Sequence, residues 1–62
     1  MIMRQELTEV TCWLGHQQEQ WHRYTETRAG STVEVFESVC DCGETIRVTF
    51  ADGRIVEEES IP

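Results

Sequence analysis

The sequence predicts a small, mostly β domain, an antiparallel ribbon or meander of three to four strands. Three observations predict it. With 62 residues the chain makes one domain near the lower limit for folding on its own core. From Trp21 onward, short runs rich in β-branched and aromatic residues alternate in polarity and are separated by glycine-containing turns. Finally, Cys12 and His16 stand before the first of these runs and Cys40 and Cys42 between two of them, which brings chemically similar side chains to one end of a hairpin. The whole of residues 1–62 is therefore expected to be a single domain.

Residues 1–11 form the expected N-terminal arm. Met3, Leu7 and Val10 have helical spacing, whereas residues 7–11 (LTEVT) also read as a short strand; the arm is taken as strand or extended chain. Residues 21–27 (WHRYTET) make a first β segment, and Arg28-Ala29-Gly30-Ser31 supplies turn chemistry. Residues 32–39 follow, with Val33, Val35 and Val39 on one face and Phe36 on the other. Apolar groups on both faces predict a central or doubly covered strand. Cys40-Asp41-Cys42-Gly43 forms a tight turn, and residues 45–51 then alternate, with Ile46, Val48 and Phe50 inward and Thr45, Arg47 and Thr49 outward. Asp52-Gly53 is a two-residue hairpin signal, because a type I′ turn needs positive φ at both central positions. Residues 54–57 return antiparallel, with Ile55 beside Phe50. The remaining acidic stretch, residues 57–62, is expected to be a flexible tail.

Folding a chain this short leaves little net stability from its core alone, so a staple is expected. Three cysteines suit a disulfide framework poorly, and suit a metal site completed by one histidine well. Three thiolates and an imidazole are ligands that favour zinc over magnesium or calcium. The expected site is one structural Zn²⁺ held by Cys12, His16, Cys40 and Cys42, and the expected fold becomes a zinc-stapled antiparallel β-ribbon. Zinc cysteines usually stand two to four residues apart, whereas Cys40 and Cys42 are separated by Asp41 alone. Competing readings are a set with His22 in place of His16, three buried thiols without metal, and a disulfide.

The residues Cys12, Gly15, His16, Trp21, Cys40, Cys42 and Gly43 together resemble small zinc-ribbon proteins encoded by phages and prophages. The resemblance covers residues 12–44, about half the chain, and departs from the longer form of the pattern by one residue between the last two cysteines. It implies a zinc-ribbon fold, a viral origin and, with it, a place in the host cytoplasm.

Charge narrows the function. Twelve Asp and Glu against five Arg, with no Lys, give a net charge of −7. Nucleic-acid binding needs clustered cations, and here Glu26, Glu34, Glu37, Glu44 and Asp52 interleave with Arg23, Arg28, Arg47 and Arg54. A nucleic-acid-binding ribbon using those arginines is the alternative; a protein partner with a basic surface is expected first. Trp13 is the best candidate for an exposed anchor, with Trp21 and Tyr24 assigned to packing. If the chain is phage-encoded, a host nucleic-acid machine such as RNA polymerase or a defence complex is the expected target. No enzyme is expected, since four protein ligands close a zinc site and so short a chain leaves little room for a pocket of ~300 Å³ or more. Neither a membrane span nor a targeting segment is expected, and no basic start followed by an apolar stretch is seen in residues 1–10, so the cytoplasm is the expected compartment.

Overall fold

The computed structural model of the protein describes residues 6–61. Four strands, β1 (His22–Arg28), β2 (Ser31–Val39), β3 (Thr45–Ala51) and β4 (Arg54–Ile61), form one antiparallel sheet in chain order. The expected meander is thus present in its four-stranded form. No helix among the described residues is long and apolar enough to cross a membrane.

Two connections are two-residue hairpins at the same end of the sheet. Ala29 and Gly30 have φ of 51° and 81°, and Asp52 and Gly53 have φ of 54° and 75°, the left-handed pair that a type I′ turn requires. The third connection, from β2 to β3, lies at the opposite end and carries Cys40 and Cys42.

The acidic C-terminal stretch is not a loose tail. Residues 57–61 continue β4 and pair with β3 through Thr49↔Glu57, Arg47↔Glu59 and Thr45↔Ile61. Cross-strand hydrogen bonding and arginine partners offset the expected repulsion: Glu57 accepts from Arg28 and Glu59 lies 3.7 Å from Arg47. A bulge between Thr49 and Phe50 leaves Val56 as the extra residue of β4, half-way out in solvent as bulged residues often are. In the N-terminal arm, Leu7–Glu9 is a 3-10 turn rather than a strand, and Thr11 makes an isolated bridge to Gln17. Met3 lies outside the described residues.

Register divides the sheet into two faces, because side chains alternate along each strand. One face carries Phe36, Ile46, Val48, Phe50 and Ile55, with Phe36 and Phe50 meeting edge-on at 5.4 Å. Leu7, Val10, Cys12 and Trp21 close over it, and the buried centre is Val10, Cys12, Cys40, Ile46 and Val48. The other face carries Val33, Val35 and Thr49, all buried, beneath long side chains of the sheet itself. Arg47 bridges Glu37 and Glu59, and Arg28 bridges Glu26 and Glu57. Such exposed pairs contribute little each as ion pairs, but their aliphatic stems shield apolar surface. β2 is therefore central and buried on both sides, as its composition predicts. Val39 is the exception at 72 % exposure, because it sits beyond the reach of those stems at the end of the strand.

Ala29 holds a left-handed conformation that asparagine adopts at lower cost than alanine. Ala29→Asn should stabilise the protein by about 1 kcal/mol, read as a rise of roughly 4–8 °C in the thermal midpoint.

Candidate metal centre

Two short segments build the site, and they follow the same backbone path. In Cys12-Trp13-Leu14-Gly15-His16, the Gly15 N–H donates to the Cys12 carbonyl (2.9 Å) and the Cys12 N–H to the His16 carbonyl (3.1 Å). In Cys40-Asp41-Cys42-Gly43-Glu44, the Gly43 N–H donates to the Cys40 carbonyl (2.9 Å) and the Cys40 N–H to the Glu44 carbonyl (2.8 Å). Each glycine has a φ near 90° (87° and 93°), a region that disfavours other residues. The two turns are knuckles of one kind. They differ in which positions bear the ligand: first and fifth in one, first and third in the other.

This resolves the short spacing between Cys40 and Cys42. The two residues are not in an extended strand; they occupy the first and third positions of a tight turn, so their sulfurs converge without an intervening second residue. One sulfur from the first knuckle, two from the second and a ring nitrogen of His16 all lie within 4.8 Å of one another. Cys40 Sγ is 3.7 Å from His16 Nδ1. Tetrahedral zinc, with bonds of ~2.3 Å to sulfur and ~2.0 Å to nitrogen, places such atoms ~3.5–3.8 Å apart. The donor set and its size fit one such ion. His22 is not part of the group: it lies on β1 opposite Glu37, with its ring 6.0 Å from that of Tyr24. No disulfide joins the three cysteines.

Backbone amides point at the sulfurs. The His16 N–H donates to Cys12 Sγ at 3.3 Å. The Cys42 backbone N–H, then the Gln18 side chain and His16, draw the Cys40 thiol down to about 6. Cys42 moves the other way: the Glu44 backbone N–H lowers it, but hydrogen bonding to Cys40, burial and Cys12 together raise it. Thiolate is the ligating form, so the hydrogen bonds around Cys40 prepare one buried ligand of the site. Cys12 and Cys40 are buried, whereas His16 and Cys42 face solvent.

Around the centre, Gln18 and Ser38 escape the sequence reading, and Glu44 is named in it only as an acidic residue among the arginines. Glu44 is only 6 % exposed. Its carboxyl oxygens accept from the Trp13 backbone N–H at 3.1 Å and from the Ser60 hydroxyl. One side chain thus ties the second knuckle to the first and to the end of β4. Gln18 accepts from the buried Ser38 hydroxyl and donates to the His16 carbonyl, both at 3.0 Å. The signal for Glu44 was the shared Cys-x-x-Gly-x pattern, in which it occupies the position of His16. Gln18 and Ser38 left no comparable signal. The chain also forms a cleft of about 450 Å³ between residues 16–20 and 38–41, larger than its length led us to expect.

Glu44→Ala should destabilise the metal-loaded protein by ~1–3 kcal/mol, because it leaves the Trp13 amide without its acceptor. Glu44→Gln, which keeps one acceptor oxygen, should cost less. Thermal melts with and without metal measure both; equal melting of wild type and Glu44→Ala would refute the link between knuckles.

No protein-family model, curated protein or solved structure matches the chain.

Proposed function

We propose that the protein is a small zinc-binding interaction module: one structural Zn²⁺, held by Cys12, His16, Cys40 and Cys42, fixes a β meander that acts by contacting another protein. The observation that carries the zinc reading is the convergence of four ligand atoms within 4.8 Å, two of them from cysteines buried in the cluster of Val10, Ile46 and Val48. Four protein ligands fill a tetrahedral ion and leave no open position for substrate water, which favours a structural over a catalytic role. Binding of structural zinc contributes ~10–16 kcal/mol in small domains, enough to decide whether a core of this size folds.

Charge and its arrangement favour a protein partner over nucleic acid. Arg23 lies 2.6 Å from Glu34, and Arg28 and Arg47 each bridge two glutamates. Arg23 also stands on the face opposite Arg28 and Arg47, so these arginines of the described residues form no basic stripe. An acidic module instead complements a basic protein surface. Together with the resemblance to phage zinc ribbons, this favours a host nucleic-acid machine, such as RNA polymerase or a defence complex, as the target.

Elemental analysis should find about one zinc per chain, and a chelator should unfold the protein. Cys42→Ser should release the metal and lower the melting temperature sharply, whereas His22→Ala should leave both unchanged. Protein that is fully folded and free of zinc would overturn the metal reading.

The zinc-loaded chain, immobilised, should retain a basic protein from a host lysate and release it to excess free chain. Binding to duplex DNA or RNA that weakens steeply with salt, and that Arg23→Ala or Arg47→Ala diminishes, would instead support the nucleic-acid alternative.

A further inference from the structure

The exposed apolar residues are unevenly placed. Among the large hydrophobic side chains of the described residues that are open to solvent, Trp13 (78 %), Leu14 (51 %), Val39 (72 %) and Ile61 (38 %) all belong to the metal end of the molecule. Only Val56 lies toward the other end. Trp13 and Leu14 form the tip of the first knuckle, and Val39 and Ile61 end β2 and β4 on either side of Thr45. By register Val39 and Ile61 lie on the sheet face opposite the one the first knuckle covers, so the neighbouring exposed pair is Trp13 and Leu14, and an exposed tryptophan is the kind of side chain that anchors an interface.

The tip is also held in place. The Trp13 amide is fixed to Glu44 of the other knuckle, and the turn beneath is closed by the Gly15 N–H. Beside it opens a cleft of about 270 Å³, lined by Trp13, Cys42, Gly43, Glu44 and Ser60. A large aromatic side chain on a fixed backbone, next to a cleft, binds with little ordering cost.

Charge selects the occupant. The knuckles contain Asp41 and Glu44 and no arginine or lysine, and with zinc bound the three ligating thiolates would outweigh the charge of the ion. Arg28 and Arg54 stand next to the hairpins at the opposite end, and Arg47 is taken up by Glu37 and Glu59. A second copy would bring two acidic ends together, and a nucleic acid would meet the same repulsion.

We propose that the Trp13–Leu14 tip and the adjoining Cys42–Ser60 cleft are the docking face of this module, and that its occupant is a basic protein segment in which lysines or arginines flank an apolar side chain. The apolar group enters the cleft against the indole, and the flanking cations face Asp41 and the thiolate centre. The proposal rests on the protein-interaction reading given above and adds to it which surface is used.

The test is a titration of the zinc-loaded, ¹⁵N-labelled chain with three short synthetic peptides: lysines flanking one leucine, the same peptide with serine for leucine, and the same with glutamates for lysines. The first should shift the Trp13 indole and the amides of Leu14, Gly43 and Ile61. The serine peptide should bind about tenfold more weakly or worse, and the glutamate peptide should not bind. Trp13→Ala should weaken the first peptide roughly tenfold or more while zinc content and melting temperature stay unchanged, and Val56→Ala should change nothing. Undiminished binding by Trp13→Ala, shifts centred on the Tyr24–Arg47 face, or a peptide-free dimer built on Trp13 would each overturn the assignment. Shifts on another surface would overturn this face and leave the interaction reading standing; failure to retain any basic protein from lysate removes the reading itself.

Discussion

The fold depends on the meeting of two knuckle turns that are far apart in sequence and adjacent in space. Each is closed by its own pair of backbone hydrogen bonds, so each can form locally, but neither has a core of its own. Cys12 and Cys40 enter the same buried cluster as Val10, Ile46 and Val48, and Glu44 bonds across the gap. Without that meeting, the segment before β1 would have no reason to lie on the sheet, and Ile46, Val48 and Phe50 would face water. A four-stranded sheet with one bare apolar face is not a stable object. The second layer of this protein is the first knuckle and its flanks.

Much of this architecture was legible in the sequence, and the reasons are physical. Alternation in residues 45–51 places Ile46 and Val48 in the core because strand side chains have a strict period of two. Asp52-Gly53 announces its hairpin because few residues accept left-handed geometry. Cys12, His16, Cys40 and Cys42 stand out because thiols and imidazoles are chemically distinctive, and they do gather in space. What was hidden depended on partners that only tertiary structure supplies. Residues 57–59 read as a solvated tail until Arg28 and Arg47 are seen across the sheet. Glu44 resembles any surface glutamate until the Trp13 amide and Ser60 close on it.

The molecule is polar in more than charge. One end consists of two hairpins with left-handed turn residues and two of the arginines; the other collects the candidate ligands, four of the five large exposed apolar side chains of the described residues and the two clefts described above. Rigid backbone and open side chains therefore coincide at the metal end. The sheet joins these ends but lends neither face to a simple role: one is covered by the first knuckle, and the other is roofed by ion-paired side chains over Val33 and Val35. The protein therefore exposes its ends and edges more readily than a flat face.

The equivalence of the two knuckles has a consequence for ligand spacing. Both trace Cys-x-x-Gly-x with the same hydrogen bonds, yet the second ligand stands at the fifth position in one and the third in the other. The backbone accordingly tolerates a donor at either place, and Leu14 and Glu44 mark the positions left for other purposes. Moving a donor between them would take substitutions alone, with no insertion or deletion. Cysteine spacing is thus a weaker constraint on this centre than the glycine three residues after the first cysteine, whose positive φ closes both turns.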